Sequence, residues 1–517
     1  MSQTRQEATL RRWLEELPTE VFQARPFLSL AFVGALMATG EVEGVEDLLR
    51  NAERWLDAAG SGAGLPVPAR DMVVVDQDRF RVLPTSIAMY RAGQARLLGD
   101  IPGSMRHAQR ALDLAGKDDL LERGGAASLL GLGHWYNGDL DAAHRWYAKG
   151  MASLEKAGHR ADLIAGAVTL ANIRIAQGRL GEAMSVYERG LRRANEQAPP
   201  VLRGGADMHV GISELLRERN DLDAAREHLE TSRDLGEDAG FPQNPYRWRV
   251  AMARIRQTEG DLSGAIELLD EAERVYNTDF SPDVRPIPAV RARFHLAQGK
   301  VADAIGWARA QQLSADDELT YLREYQHITL ARVLSARCVA QGAADAGKDA
   351  ARLLDRLLAA AQEGQRGGSI IEILVVQALS NEARGNRPAA LASLDEALTL
   401  AEPEGYVRLF LDEGLPMTAL LRAVAEHGVA HGYARRLLAS AGPPPGSGRV
   451  QQGLVEPLSE RELHVLRLLR AELDGPDIAR QLMVSLNTMR THTKHIYTKL
   501  GVNNRRAAVR RAEELDL

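Results

Sequence analysis

The chain has 517 residues, 45% hydrophobic and 26% charged, with a formal net charge of -6, which exceeds one ordinary core and reads as a soluble globular composition. Its single cysteine, Cys338, excludes an internal disulfide and a cysteine-based zinc site; within LSARCVAQG it is expected as a packed thiol on a helix. No signal-like apolar run opens the chain and no stretch of eighteen apolar residues occurs later, so no membrane is expected among its partners and the cytoplasm is the expected location.

In chain order, a short punctuation recurs from Gly40 onward. It is GDIPGS at Gly99, GDLDAA at Gly138, GRLGEA at Gly178, NDLDAA at Asn220, GDLSGA at Gly260, GKVADA at Gly299, GAADAG at Gly342 and GNRPAA at Gly385. Successive copies lie 39 to 43 residues apart, while the earlier copy at Gly40 precedes Gly99 by 59. The excess falls around GSGAGLPVPARDMVVVDQD, which predicts a surface excursion.

Each marker sits between two apolar helical segments. Glycine accepts the left-handed conformation that ends the first helix, and the Asp, Arg or Lys after it is expected to face solvent. Small residues such as Ala142–Ala143 and Ala224–Ala225 allow close approach of the second helix. A lone hairpin cannot bury both faces, so neighbours must stack into a right-handed α-solenoid. The pattern resembles tetratricopeptide-like repeats, which bind peptides, proteins or small ligands on a concave surface. The aromatic residues Trp135, Tyr136, Trp146 and Tyr147 are candidates for such a surface, although packing between helices is their commoner fate.

GPPPGSGRVQQGLVEP, residues 442–457, holds neither helix nor core and predicts a flexible linker. It divides a repeat region, 1–441, from a small domain, 458–517. In that domain Ser459-Glu460-Arg461-Glu462 is a capping box. Leu463, Val465, Leu466, Leu468 and Leu469 supply a first apolar stripe. Pro476 opens a second helix, Asp477–Leu482, with Ile478, Ala479 and Leu482 inward. A third runs Leu486–Leu500, with Leu486, Met489, Thr493, Ile496 and Leu500 within one arc. A fourth covers Asn503–Leu515.

Between Ser485 and Ala512 there are seven Lys/Arg residues and no Asp or Glu, in an otherwise acidic chain. Asn487, Arg490, Thr491, Lys494 and Thr498 share a second face of the third helix. Two short helices followed by a longer one with a basic face is the helix-turn-helix arrangement, whose second helix enters the major groove. His492 and His495 lie three apart with no third ligand nearby, so no metal is expected.

At this point the residues resemble the LuxR-type DNA-binding domain: Leu458, Ser459, Arg461, Glu462, Val465, Leu466, Leu469, Ile478, Ala479, Leu482, Ser485, Thr488, Arg490, His492, Ile496, Lys499, Leu500, Gly501, Val502, Arg505 and Ala508. The departures are Glu472-Leu473-Asp474-Gly475-Pro476 in the first turn, Met489 for a common valine, and Arg506 for a frequent threonine. The resemblance implies base contacts from Arg490, Thr491 and Lys494, and phosphate contacts from Thr488, Lys499, Asn503 and Arg505. Repeats of this length before such a domain are similar to the C-terminal half of MalT-like bacterial regulators. Their ATPase module has no counterpart, because no G-x-x-x-x-G-K-[ST] occurs. The initiating Met1 favours a natural short form over a truncation.

The expected protein is thus all-α: a tetratricopeptide-like solenoid followed by a four-helix helix-turn-helix domain. The resemblance implies a sequence-specific bacterial transcriptional regulator, with double-stranded DNA and RNA polymerase as partners and dimers on DNA. Its repeat region would sense a small molecule or a protein. A repeat scaffold for protein interaction is the alternative; no cofactor is expected, and no nucleophile–base pair or nucleotide loop suggests an enzyme.

Overall fold

The computed structural model describes residues 7–38, 40–57, 76–195, 203–236, 239–278 and 281–441, and after those 465–466, 468–469, 476–478, 493–494, 496–497, 499–500, 502 and 504–514. Every regular element among them is a helix. The chain divides into two compact units, Met1–Ser440 and Ala441–Leu517. The excursion expected between Gly40 and Gly99 and the linker at 442–457 lie outside the described residues. No described helix is long and apolar enough to cross a membrane.

The first unit begins with α1 (Glu7–Glu15), α2 (Thr19–Gln23), α3 (Pro26–Ala38), α4 (Val45–Asp57) and α5 (Gln77–Arg81). Eight hairpins follow: α6 (Leu83–Leu97) with α7 (Ile101–Leu114), α8 (Leu120–Tyr136) with α9 (Leu140–Lys156), α10 (Arg160–Ala176) with α11 (Leu180–Asn195), and α12 (Gly205–Glu218) with α13 (Leu222–Asp234). The next four are α14 (Asn244–Thr258) with α15 (Leu262–Arg274), α16 (Ile287–Ala297) with α17 (Val301–Ala310), α18 (Glu324–Gln341) with α19 (Ala344–Glu363), and α20 (Gly367–Ala383) with α21 (Arg387–Ala401). Short α22 (Arg408–Leu411), α23 (Gly414–His427) and α24 (His431–Ser440) complete the unit.

Each marker read from the sequence falls inside a hairpin, and each has a left-handed backbone, from Gly40 (φ 81°) through Gly138 (φ 79°) to Gly385 (φ 77°). Asn220 does the same without glycine, at φ 67°, as the amide side chain permits. The residue after the marker does more than face solvent. Asp100, Asp139, Asp221 and Asp261 cap the second helix, each carboxylate accepting an N–H three residues on, at 2.8, 3.0, 3.3 and 2.9 Å. Asn386 caps α21 in the same way. Gly-Asp is therefore a stop and a start in two residues.

Close packing follows from small residues. A Cβ added at Gly150 of α9 would stand 2.4 Å from the Ser128 hydroxyl and 2.8 Å from the Gly124 carbonyl of α8. Ala143 and Ala225 are fully buried, as their positions predict. Cys338 is only partly buried, lying over Gly347, where an added Cβ would meet its Sγ at 2.8 Å. It fills a groove between α18 and α19 and is not the enclosed core thiol expected.

The array also closes on itself. One hydrophobic cluster joins Ile164, Val168, Tyr187, Met208 and Leu215 of α10–α12 to Leu374, Leu394, Tyr406, Phe410, Leu420 and Tyr433 far along the chain. The Trp135 indole donates to the Tyr321 hydroxyl at 2.9 Å. Gly178 meets Gly367 and Gly368 closely enough that a Cβ at Gly367 would lie 2.4 Å from the Gln177 carbonyl. Glu218 accepts the Leu409 amide through its carboxylate at 2.8 Å and the Val407 amide through its carbonyl at 3.1 Å. Arg217 pairs with Asp412.

Gly150→Ala is expected to cost about 1–3 kcal/mol by overpacking against α8; an unchanged thermal midpoint would show that the hairpin can open to admit the methyl. A second expectation concerns His209 and His228, whose Nδ1 atoms lie 2.9 Å apart across α12 and α13. Burial, and then the neighbouring His228, lower His209 to about 4, and burial also lowers His228. Both are depressed in the folded state, so their contribution is complete above the unfolded value near 6.5 and is lost as pH falls toward about 4. With solvent screening this amounts to about 1 kcal/mol. His209→Gln should flatten the fall in melting temperature between those limits.

Candidate nucleic-acid interface and solenoid cavity

The described residues of the second unit build its core. Val465, Leu466 and Leu469 pack with Ile478, Ile496, Leu500, Ala508 and Ala512, with Leu468, Tyr497 and Val502 partly buried against them. These are the apolar positions of the four expected helices, and Tyr497 is an addition that the helical arc did not include. The last helix, α25 (Arg505–Glu514), begins where Asn504 accepts the Ala507 amide at 2.9 Å.

Of the residues expected on bases, Lys494 is described, helical and exposed. Arg490 and Thr491 lie outside the described residues, as do Thr488 and Asn503 of those expected on phosphates. Lys499 is helical and half-buried. Ile496 and Leu500 are buried, so Lys494 stands on a helix whose other side is pinned to the core.

Arg505 has a task that sequence reading missed. Its Nε and Nη2 both donate to the Leu469 carbonyl, at 2.9 and 2.7 Å. The guanidinium thus holds a backbone carbonyl of the first helix with two donors. This ties α25 to that helix and commits one edge of the side chain to structure. The signal was an arginine at the start of a helix that packs on an apolar one, indistinguishable by type from a phosphate ligand.

The first unit holds a different kind of site. Paired charges run along the first helices of the hairpins: Arg247 on Asp207 (2.8 Å) and Arg254 on Glu214 (3.1 Å) join α14 to α12, Arg293 on Glu372 joins α16 to α20, and Arg332 of α18 reaches Glu413 just before α23 (2.5 Å). Burial opposes ionisation of Glu372, yet Arg293 and Arg332 hold it at about 2. Arg293 also donates to the Thr329 hydroxyl at 2.8 Å and lies 3.6 Å from the Tyr325 ring centre.

A cavity of ≈ 210 Å³ opens beside these pairs, lined among others by Trp135, Asn172, Tyr187, Glu214, Tyr246 and Arg285. A second, of ≈ 660 Å³, lies among Tyr136, Asp139, Tyr321, Glu324, Glu363 and Arg366. Of the four aromatic candidates, Trp135 and Tyr147 are buried, with Trp135 reaching the smaller cavity. Tyr136 lines the larger one, and Trp146 packs under Lys149, whose Nζ is 4.7 Å from its ring centre. Among the described residues no group of acids, histidines and cysteine could hold a metal ion.

A helical-repeat array and a helix-turn-helix unit together define the class. The family described as the MalT-like TPR region matches residues 85–427, and that of bacterial regulatory proteins of the luxR family matches 456–512. The chain belongs to the family of the MalT-like TPR region and carries a LuxR-family domain at its C-terminal end. It is similar to the HTH-type transcriptional regulator MalT of Klebsiella pneumoniae (strain 342), with 30% identity over 158 residues, 25% of this chain and 17% of the relative. With MalT of Vibrio cholerae serotype O1 it shares 29% over 188 residues, covering 32% and 21%. With MalT of Cronobacter sakazakii it shares 24% over 307 residues, covering 53% and 32%. The matched region thus spans a third or less of these curated relatives. A Rap protein crystallised with Competence and Sporulation Factor shares the repeat fold, at TM-score 0.51 and 12% identity over 75% of this chain and 99% of that one.

Arg505→Ala is expected to lower the stability of the C-terminal unit by about 1–2 kcal/mol through loss of its two hydrogen bonds to the Leu469 carbonyl. Calorimetry of the full chain should show its transition moving while that of the solenoid stays. Coincident shifts of both would refute a local role.

Proposed function

We propose that this chain is a sequence-specific DNA-binding transcriptional regulator of bacteria whose repeat unit senses an effector or a protein partner. The match of residues 456–512 to the luxR regulatory family carries this reading, and the charge-lined cavities of the solenoid support the sensing half. Arg490, Thr491 and Lys494 read base edges in the major groove, arginine being suited to a bidentate pair with guanine. Thr488, Lys499, Asn503 and Arg505 hold phosphates and set register. Arg505 also fixes α25 to the first helix through the Leu469 carbonyl.

One such unit makes few charged contacts, so the protein binds DNA as a two-fold dimer and acts there on RNA polymerase. It works in the cytoplasm, at the nucleoid when bound. Residues 442–457 tether the DNA-binding unit to the sensor.

The test begins with duplexes selected by the full chain from a randomised pool. Arg490→Ala and Lys494→Ala should each lose about 1–3 kcal/mol of discrimination between selected and scrambled duplexes. Lys499→Ala should weaken both alike and reduce the salt slope by about one. Equal discrimination in all three variants would refute the base-reading assignment, and failure to enrich any sequence would refute specific DNA binding.

A further inference from the structure

The connection between α15 and α16, residues 275–286, is with 311–323 one of the two longest that join consecutive hairpins of this array. Extra length in one connection of a repeat array commonly serves the binding face. Here its described residues line the smaller cavity: Tyr276, Ser281, Pro282, Asp283, Val284 and Arg285 all border it. Ser281 reaches across to the Thr169 hydroxyl on α10 at 3.4 Å. Gln243 donates to the Thr278 carbonyl at 2.7 Å. The segment is held against α10 and α14 and delivers its side chains inward.

Among the described residues, the charges around the cavity are ion-paired except at Asp283 and Arg285. Asp207 is engaged by Arg247 and by the Phe241 amide (both 2.8 Å), and Glu214 by Arg254. Glu372 holds Arg293. Asp283 is bonded by the Tyr276 hydroxyl and the backbone amide of Arg285. Arg285 itself is exposed to solvent, and among the described residues no carboxylate lies within ion-pair distance of its guanidinium. Its nearest ring, Tyr325, is 5.9 Å from Cζ. Yet it is surrounded: Tyr325, Glu372, Glu214 and Tyr406, from four separate parts of the fold, all act on it electrostatically.

A cation with a planar fork of donors, placed inside a concavity whose acids are already taken, matches an oxyanion. The remaining walls are apolar and aromatic, with Val168, Val210 and Val250 facing Trp135, Tyr187 and Tyr246. Tyr246 and Tyr276 pack with ring centres 4.9 Å apart. Asn172 spends its carbonyl on the Tyr187 hydroxyl at 3.2 Å, which leaves its amide to donate. The volume of ≈ 210 Å³ suits a small molecule.

We propose that this cavity binds a small amphipathic anion, with Arg285 clasping its carboxylate or phosphate and the aromatic wall receiving its apolar body. This rests on the reading of the repeat unit as a sensor and names the chemistry of what it senses. Arg247 and Arg254 stay on their own acids and shape the pocket, while Asn172 hydrogen-bonds the ligand's polar end.

Calorimetric titration of the full chain with hydrocinnamate, phenyl phosphate and the neutral hydrocinnamyl alcohol tests it. One or both anions should bind saturably with Kd below about 1 mM, and the alcohol about tenfold or more weakly. The stronger of the two anions decides between a carboxylate and a phosphate source. Arg285→Gln should weaken the anion by about tenfold or more, and Arg285→Lys, which keeps the charge without the fork, should fall between. Arg285 is solvent-exposed, so both variants should melt as the parent does. Equal anion binding by Arg285→Gln, equal binding of alcohol and anion, or no binding of either anion up to about 10 mM would overturn the proposal. DNA affinity measured with and without the bound anion separates the two readings. An anion that binds through Arg285 without altering DNA affinity upholds the cavity and removes its sensing role.

Discussion

A two-helix hairpin leaves an apolar face uncovered, and everything in the larger unit follows from covering it. Stacking one hairpin on the next buries that face only if the turn inside each hairpin is tight and repeatable. The left-handed residue at each marker, with the capping Asp or Asn that often follows, provides such a turn. It ends one helix with satisfied carbonyls and starts the next with a satisfied amide, within two residues. Small residues then let the helices approach, most closely between α8 and α9, where glycines face backbone.

Stacking alone would yield an open array with contacts only between neighbours. This array instead places α10–α12 in one hydrophobic cluster with α20–α24. The polar contacts that accompany it, Trp135 to Tyr321 and Glu218 to Leu409, join residues more than 180 positions apart. Closure turns a concave face into an interior. Charges on the first helices then come under one another's influence, and they pair across hairpins to avoid isolation in a poorly solvated space. Arg285, on the connection between α15 and α16, takes no part in that pairing.

The small C-terminal unit relies on another balance. Among the described residues eight buried apolar side chains form its core, and α25 is secured to it both by Ala508 and Ala512 and by the Arg505 bond to Leu469. Keeping Ile496 and Leu500 inward holds Lys494 outward. A surface for a polyanion is thereby made from a helix whose orientation is set on its apolar side.

The periodic features were legible in the sequence because they are local. Marker spacing located every hairpin, since a residue that accepts positive φ must stand where a helix ends. Apolar spacing located Val465, Leu469, Ile478, Ile496 and Leu500 in the small core, since one helical face is defined within a few turns. The capping role of Asp100, Asp139, Asp221 and Asp261 was also local, but it was not read, because a charged residue in a turn is accounted for by solvent alone. The bond from Arg505 to a carbonyl 36 residues earlier was not legible, because residue type does not tell a guanidinium that also ties two helices together from one that does not. Closure of the array, the cavity behind it and the isolation of Arg285 belong to tertiary structure alone. They depend on which distant helices meet after several hairpins have each added a small rotation, and that sum has no signature at any single position.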